Sequence, residues 1–140
     1  MLRDDDLTIY DIDQTETGGS VAVSRQDGVA IIQLAGEFDI YAAPLLRGHC
    51  RRVREEGLGC VVDVRDVSFV DSAVLGALLD ARRGSDGLEL PFMLVLPEGR
   101  HAVARAMADA KLRFEVRGGL GEAIQAARAR RRAGGPSSPP

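Results

Sequence analysis

The residues best suited to chemistry cluster in "SFVDSAVLGALLDARR", Ser68 to Arg83, where Asp71 and Ser72 separate an apolar segment from a helical stripe. A carboxylate at that junction can accept from the N–H groups of Ala73 or Val74 and cap the helix. Ser72 then becomes the first helical residue, beside unpaired N–H groups at the positive end of the dipole. A phosphate placed there would meet a favourable field. On residue types alone, capping is the stronger reading for Asp71, and Ser72 stays open between a filler of the first turn and a modified hydroxyl.

Other reactive types are few. A nucleophilic Ser72 would need flanking glycines and a His base, but its neighbours are Val70, Asp71, Ala73 and Val74. His49 falls on an amphipathic helix and His101 opens another, and neither spacing defines a triad. Lys111 is the only lysine and follows no glycine-rich loop, so a Walker-type phosphate loop is absent. Asp63 and Asp66 lie at a strand end, as a receiver's phospho-acceptor would, yet no suitable lysine follows "FMLVL", and that reading is set aside. Glu37 and Asp39 flank Phe38 as a polar turn rather than an acid/base pair. Asp63 in "CVVDV" is best placed at a strand terminus, capping a loop. Cys50 and Cys60 lack metal or CxxC spacing and read as small buried hydrophobes in a reducing compartment, without a disulfide or metal. Met107 and Phe92 are expected in the core.

These residues need a scaffold. The chain has 140 residues, 45% hydrophobic and 28% charged, with net charge -3, which suits one soluble cytoplasmic domain and argues against nucleic acid as a partner. No secretory signal is visible and the apolar runs are too short to span a bilayer. Residues 1–18, with six acidic side chains ahead of "TGGS", are expected to be a polar leader outside the core, and 131–140 a disordered Gly/Pro/Ser tail. The basic cluster Arg128, Arg130, Arg131 and Arg132 reads as a solvated helix end.

Between these ends, 19–130 changes period repeatedly. "SVAVSR" alternates and turns at Gln26-Asp27-Gly28 into "VAIIQLAG". Ala42, Leu45, Leu46, Cys50 and Val53 recur at helical spacing, with Pro44 in the first turn and Gly57 as a stop. "CVVDV" and "FMLVL" are apolar runs covered on both faces. "DVSFV" is expected as a loop before a helix carrying Val74, Leu75, Leu78 and Leu79 and ending near Gly84. Val103, Ala106, Met107 and Ala110 trace a third helix, "FEVRG" a short strand, and Leu120, Ala123, Ile124 and Ala127 a closing helix. The order β-β-α-β-α-β-α-β-α predicts an α/β fold, a mixed central sheet with about four helices whose later strands run parallel.

"LAGEFDIYAAPLLR" followed by "CVVDVRDVSFVDSAVLGALLDA" resembles the STAS domain of bacterial anti-sigma-factor antagonists, over about Val21 to Ala127. Two segments carry the likeness: Gly36-Glu37-Phe38-Asp39 with Ala43-Pro44-x-Leu46, and Val70-Asp71-Ser72-Ala73-Val74-Leu75-Gly76. The resemblance implies a cofactor-free, non-enzymatic partner-switching module of bacterial transcription regulation. Unphosphorylated, such a domain binds an anti-sigma factor that is also a serine kinase and thereby frees a sigma factor. Phosphorylation of the serine matching Ser72 ends the binding, and a phosphatase resets it. Glu37, Asp39, Asp71, Ser72, Ala73 and Val74 would form the partner-binding edge, with no nucleic-acid or membrane contact. The alternative is a scaffold of the same fold in a signalling assembly, with Ser72 silent; the remaining class is an enzyme using Ser72 as nucleophile. Where the family commonly has a second hydroxyl residue and then glycine, this chain has Ala73 and Val74, and Val74 is expected to crowd an approaching backbone. Tyr41-Ala42-Ala43 offers no hydroxyl cap, and Asp39 is expected to substitute.

Overall fold

The computed structural model of the chain describes residues 11–14 and 18–133. Six strands form one sheet in the order β1-β2-β3-β4-β5-β6. They are β1 (Asp11–Gln14), β2 (Ser20–Gln26), β3 (Val29–Phe38), β4 (Gly59–Val70), β5 (Phe92–Val95) and β6 (Val116–Arg117). The helices are α1 (Ala43–Glu55), α2 (Ser72–Gly87), α3 (Ala102–Asp109) and α4 (Leu120–Ala133), with a 3-10 turn at Ile40–Ala42 ahead of α1. The first three strands are antiparallel, and β3 to β6 are parallel, each joined to the next through a helix.

The β2–β3 hairpin is set locally. Asp27 and Gly28 both take positive φ, at 50° and 81°, the requirement of a two-residue turn matched to strand twist. The helices then fall on both sides of the sheet. Cys60, Val62, Phe92 and Leu94 face α1, α2 and α3, whereas Val61, Met93 and Val95 face Ala123 and Ala127 of α4. This period-two division explains why "CVVDV" and "FMLVL" are apolar throughout. Phe92 and Met107 are buried as expected.

Several expectations change. Asp11–Gln14, within the stretch expected outside the core, pairs with β2; residues 1–10 and 15–17 lie outside the described residues. Asp66–Val70 is strand rather than loop, because the end of β3 continues beside it, pairing Gly36 with Val67 and Phe38 with Val70. Helix α2 runs to Gly87, and α4 to Ala133, past the expected start of the tail, whose residues 134–140 are outside the described range. The arginine cluster is no solvated end: Arg128 pairs with Asp27, Arg130 with Glu115, and Arg131 donates to the Gly57 carbonyl at 2.9 Å. These groups fasten α4 to the β2–β3 turn, the α1–β4 connection and the residue before β6.

Asp63 is not at a strand terminus. It sits within β4 where β3 and β4 shift register between Gln33 and Ala35, and it is buried. Its carboxylate accepts from Arg65 three times, from Nε at 3.0 Å, from the terminal nitrogen at 2.8 Å and from the backbone N–H at 3.1 Å. Burial pushes the carboxyl up, but the Arg65 side chain and backbone, aided by Gln33, outweigh it and hold Asp63 below the ordinary carboxylate range. The bulge therefore stores a satisfied ion pair instead of an orphan charge.

Candidate functional site

The two sequence segments meet at the C-terminal ends of β3 and β4. Parallel pairing sets Glu37 opposite Phe69 and Phe38 opposite Val70. The Asp71 N–H then donates to the Phe38 carbonyl at 2.9 Å, which carries the pairing one residue beyond the strand. Each chain next turns into a helix through an aspartate cap. Asp39 accepts from the Tyr41 N–H at 3.0 Å, and Asp71 accepts from the Ala73 N–H at 2.8 Å. Asp39 thus caps the 3-10 turn and not α1 itself, which starts after Ala42 without a side-chain cap and with Pro44 in its first turn.

Gly36 makes this arrangement possible. It takes φ +93°, and a Cβ there would lie 2.7 Å from the Gly18 carbonyl oxygen. Only glycine tolerates both the conformation and the approach of the β1–β2 connection.

Because the Asp71 carboxylate takes the Ala73 N–H, Ser72 need not act as a cap. It is the first residue of α2 and is exposed. Glu37 is also exposed, and Asp39, Asp71 and Ala73 are half-buried. Val74 stands apart from them. It is 1% exposed and belongs to the core stripe with Leu75 and Leu78, so its β-branched side chain faces inward and does not crowd an approaching partner. Its place one helical turn after Asp71 puts it on the buried face.

His101 does not supply a base for Ser72. The Nδ1 of His101 accepts from the Val103 N–H at 3.1 Å, capping α3, which leaves Nε2–H to donate to the Arg65 carbonyl at 2.9 Å. His49 is buried on α1. Among the described residues no group of His, Cys, Asp and Glu is placed to hold a metal ion, and no helix is long and apolar enough to cross a membrane.

Sequence reasoning missed the apolar part of this edge. Ile40 is 56% exposed, Tyr41 76% and Phe69 48%. All three adjoin the capped turns: Ile40 and Tyr41 follow Asp39, and Phe69 stands beside Glu37. The signal available was Ile40-Tyr41, two large apolar residues between Asp39 and α1 that join no helical or strand period. The result is an apolar surface rimmed by carboxylates with a hydroxyl at its side, a composition suited to recognition.

The family model of the STAS domain matches residues 20–127, and the chain belongs to that family. It is 33% identical over 60 residues to the anti-sigma-B factor antagonist of Bacillus subtilis (strain 168), a match covering 43% of this chain and 55% of that one. The chain thus spans about half the length of this curated relative. Among solved structures, an anti-sigma factor antagonist from Mycobacterium paratuberculosis superposes with TM-score 0.71 at 25% identity, covering 83% of this chain and 99% of the other. The antagonist SpoIIAA in its unphosphorylated form shares the fold, with TM-score 0.59 at 15% identity over 86% of this chain and 98% of its own. Each of these relatives is named as an anti-sigma factor antagonist, and none lends support to the reading of Ser72 as a catalytic nucleophile.

Proposed function

We propose that the chain is an anti-sigma-factor antagonist whose unphosphorylated form binds an anti-sigma serine kinase, releasing a sigma factor, and whose Ser72 is the phosphorylated switch. The observation that carries this reading is the exposed Ser72 at the start of α2, relieved of capping by Asp71 and bordered by an apolar edge. Glu37, Asp39, Asp71, Ser72 and Ala73 form the docking edge, with Ile40, Tyr41 and Phe69 as its apolar anchors. A kinase reaches such a hydroxyl without unfolding the helix, and a phosphatase reaches the product equally well.

A phosphate brings about -1.5 to -2 charges to Ser72. Within the chain that charge sits at a helix N-terminus and is tolerated. Against a docked partner it adds to Asp71, Asp39 and Glu37 and must lose water without a matching cation. Desolvating an unpaired charge costs several kcal/mol, and each 1.4 kcal/mol or so is tenfold in affinity, so the complex is abolished.

The test combines mass spectrometry after incubation with ATP and the cognate anti-sigma kinase with calorimetry of Ser72→Ala and Ser72→Glu. Phosphate should map to Ser72, the alanine variant should bind constitutively and the glutamate variant more weakly. Equal binding by all forms, or phosphate at another residue, would replace the switch by a silent scaffold of the same fold.

A further inference from the structure

A cavity of about 180 Å³ lies between α1 and α2, walled on one side by Arg47, Arg51 and Arg54 and on the other by Ala77, Asp80 and Ala81. The three arginines follow at i, i+4 and i+7, so α1 turns all of them to one face. Asp80 answers only one of them, Arg47, with which it pairs. Among the described residues no carboxylate pairs with the guanidinium of Arg51 or Arg54, and three cations against one anion leave the cavity at net charge +2. Arg54 is accommodated by a gap in the opposite helix. α2 continues through Gly84 to Gly87, although glycine is a poor helix former. A Cβ on Gly84 would lie 2.7 Å from the guanidinium carbon of Arg54 and 2.9 Å from its Nε. The missing side chain is the seat of a half-buried cation that has no counter-charge.

We propose that this cavity is a binding site for a phosphoryl group, carried by inorganic phosphate or by a small phosphomonoester. Its net charge matches a dianion, and Asp80, neutralised by Arg47, does not oppose one. A planar carboxylate accepts one guanidinium fork, whereas the oxygens of a tetrahedral phosphate take two forks from different directions, here those of Arg51 and Arg54. Ala77 and Ala81 keep the α2 wall short, which leaves room for that group. The volume falls below the roughly 300–1,000 Å³ of pockets that enclose larger ligands, so any organic part stays outside. The site is separate from the capped turns, because Asp80 lies more than two turns of α2 beyond Ser72, about 12 Å along its axis.

The experiment titrates the full chain with inorganic phosphate and, separately, with glycerol 3-phosphate, at constant ionic strength against sodium chloride, and follows backbone amide resonances and thermal melts. Saturable shifts are expected at Arg51–Arg54 and Asp80–Gly84. Arg51→Gln and Arg54→Gln should each weaken binding about tenfold, the worth of a charge-assisted hydrogen bond. Arg83→Gln, the same change of charge on an exposed part of α2 outside the lining, should alter it by less than about twofold. Gly84→Ala should weaken it severalfold while melting at the same temperature or higher, because the added carbon displaces Arg54 yet favours the helix. An ester that binds more tightly than phosphate assigns the ligand as an ester, and the reverse order assigns the free ion. The site is overturned if the shifts do not saturate, if they centre on Ser72, if Arg83→Gln weakens binding as much as Arg51→Gln, or if Gly84→Ala binds like the wild type.

Discussion

The backbone of Asp71 is bonded to that of Phe38, N–H to carbonyl, at 2.9 Å. One peptide group therefore joins the two segments that define the family, and it fixes the Asp39 and Asp71 caps side by side. Ser72 owes its exposure to this bond as much as to its own helix, because the bond sets where α2 begins.

Removing the Asp71 cap should cost stability without disturbing the sheet. Asp71→Ala is expected to lose about 1 kcal/mol in urea unfolding, while Asp71→Asn, which keeps an accepting oxygen, should lose much less. A loss of similar size in both variants would mean that the charge, and not the cap, matters.

Gly36→Ala should be worse than an ordinary surface change. The replacement must hold positive φ and meet the Gly18 carbonyl, so a loss of about 1–3 kcal/mol is expected from the backbone alone. Thermal melts of this variant beside Gly48→Ala, where no neighbour lies within 4 Å of the added carbon, isolate the effect.

Acid stability should depend on Asp63. Its folded-state carboxyl is held low, as are those of Glu56, chiefly by the hydrogen bond from Arg25, and Glu115, chiefly by that from Arg130. A depressed carboxyl contributes stability that is complete above its unfolded value, near about 4, and disappears as pH falls through the folded value. Urea midpoints should thus be flat at neutral pH and fall below about pH 4, with a shallower fall in Asp63→Asn. Because Arg65 is partly exposed, the neutral-pH cost of that variant should stay at about 1–3 kcal/mol.

Tyr41→Ala and Phe69→Ala should separate binding from folding. Both side chains are exposed, so stability should change by about 0.5 kcal/mol or less. Affinity for the anti-sigma kinase should drop by more than about 1 kcal/mol for at least one of them, as expected of aromatic anchors. Unchanged affinity for both in calorimetry would move the docking surface elsewhere.

What was legible in the sequence was local. The Asp27-Gly28 turn, the Asp71 cap and the helical stripes each depend on residues within a few positions, and residue type reports them directly. The features that were misread depend on distant partners. Asp66–Val70 looks like a loop because Asp66 and Ser68 interrupt an apolar run, yet β3 lies beside it and completes the ladder. The arginines at the end of α4 look solvated because their acceptors, Asp27, Gly57 and Glu115, are 15 to 101 positions away. Asp63 is the instructive exception. Arg65, two residues on, was available from the strand period as a same-face partner, but the carboxylate was assigned to a loop cap instead. Val74 shows the limit of motif comparison: a substitution that looks obstructive in an alignment of letters is harmless once the helix turns it inward.

The sheet's two borders differ in how they resist other chains. β6 is two residues long, too short to seed a foreign strand. At the opposite border β1 pairs along β2, a strand of seven residues with Val21, Val23 and Ser24 buried. A chain shortened past Gln14 would bare the N–H and C=O row of β2 that β1 now covers. It would gain a template for strand exchange or aggregation while keeping its core and Ser72 intact. Versions of this chain that lack β1 would therefore confuse self-association with partner recognition, and versions that keep it avoid the ambiguity.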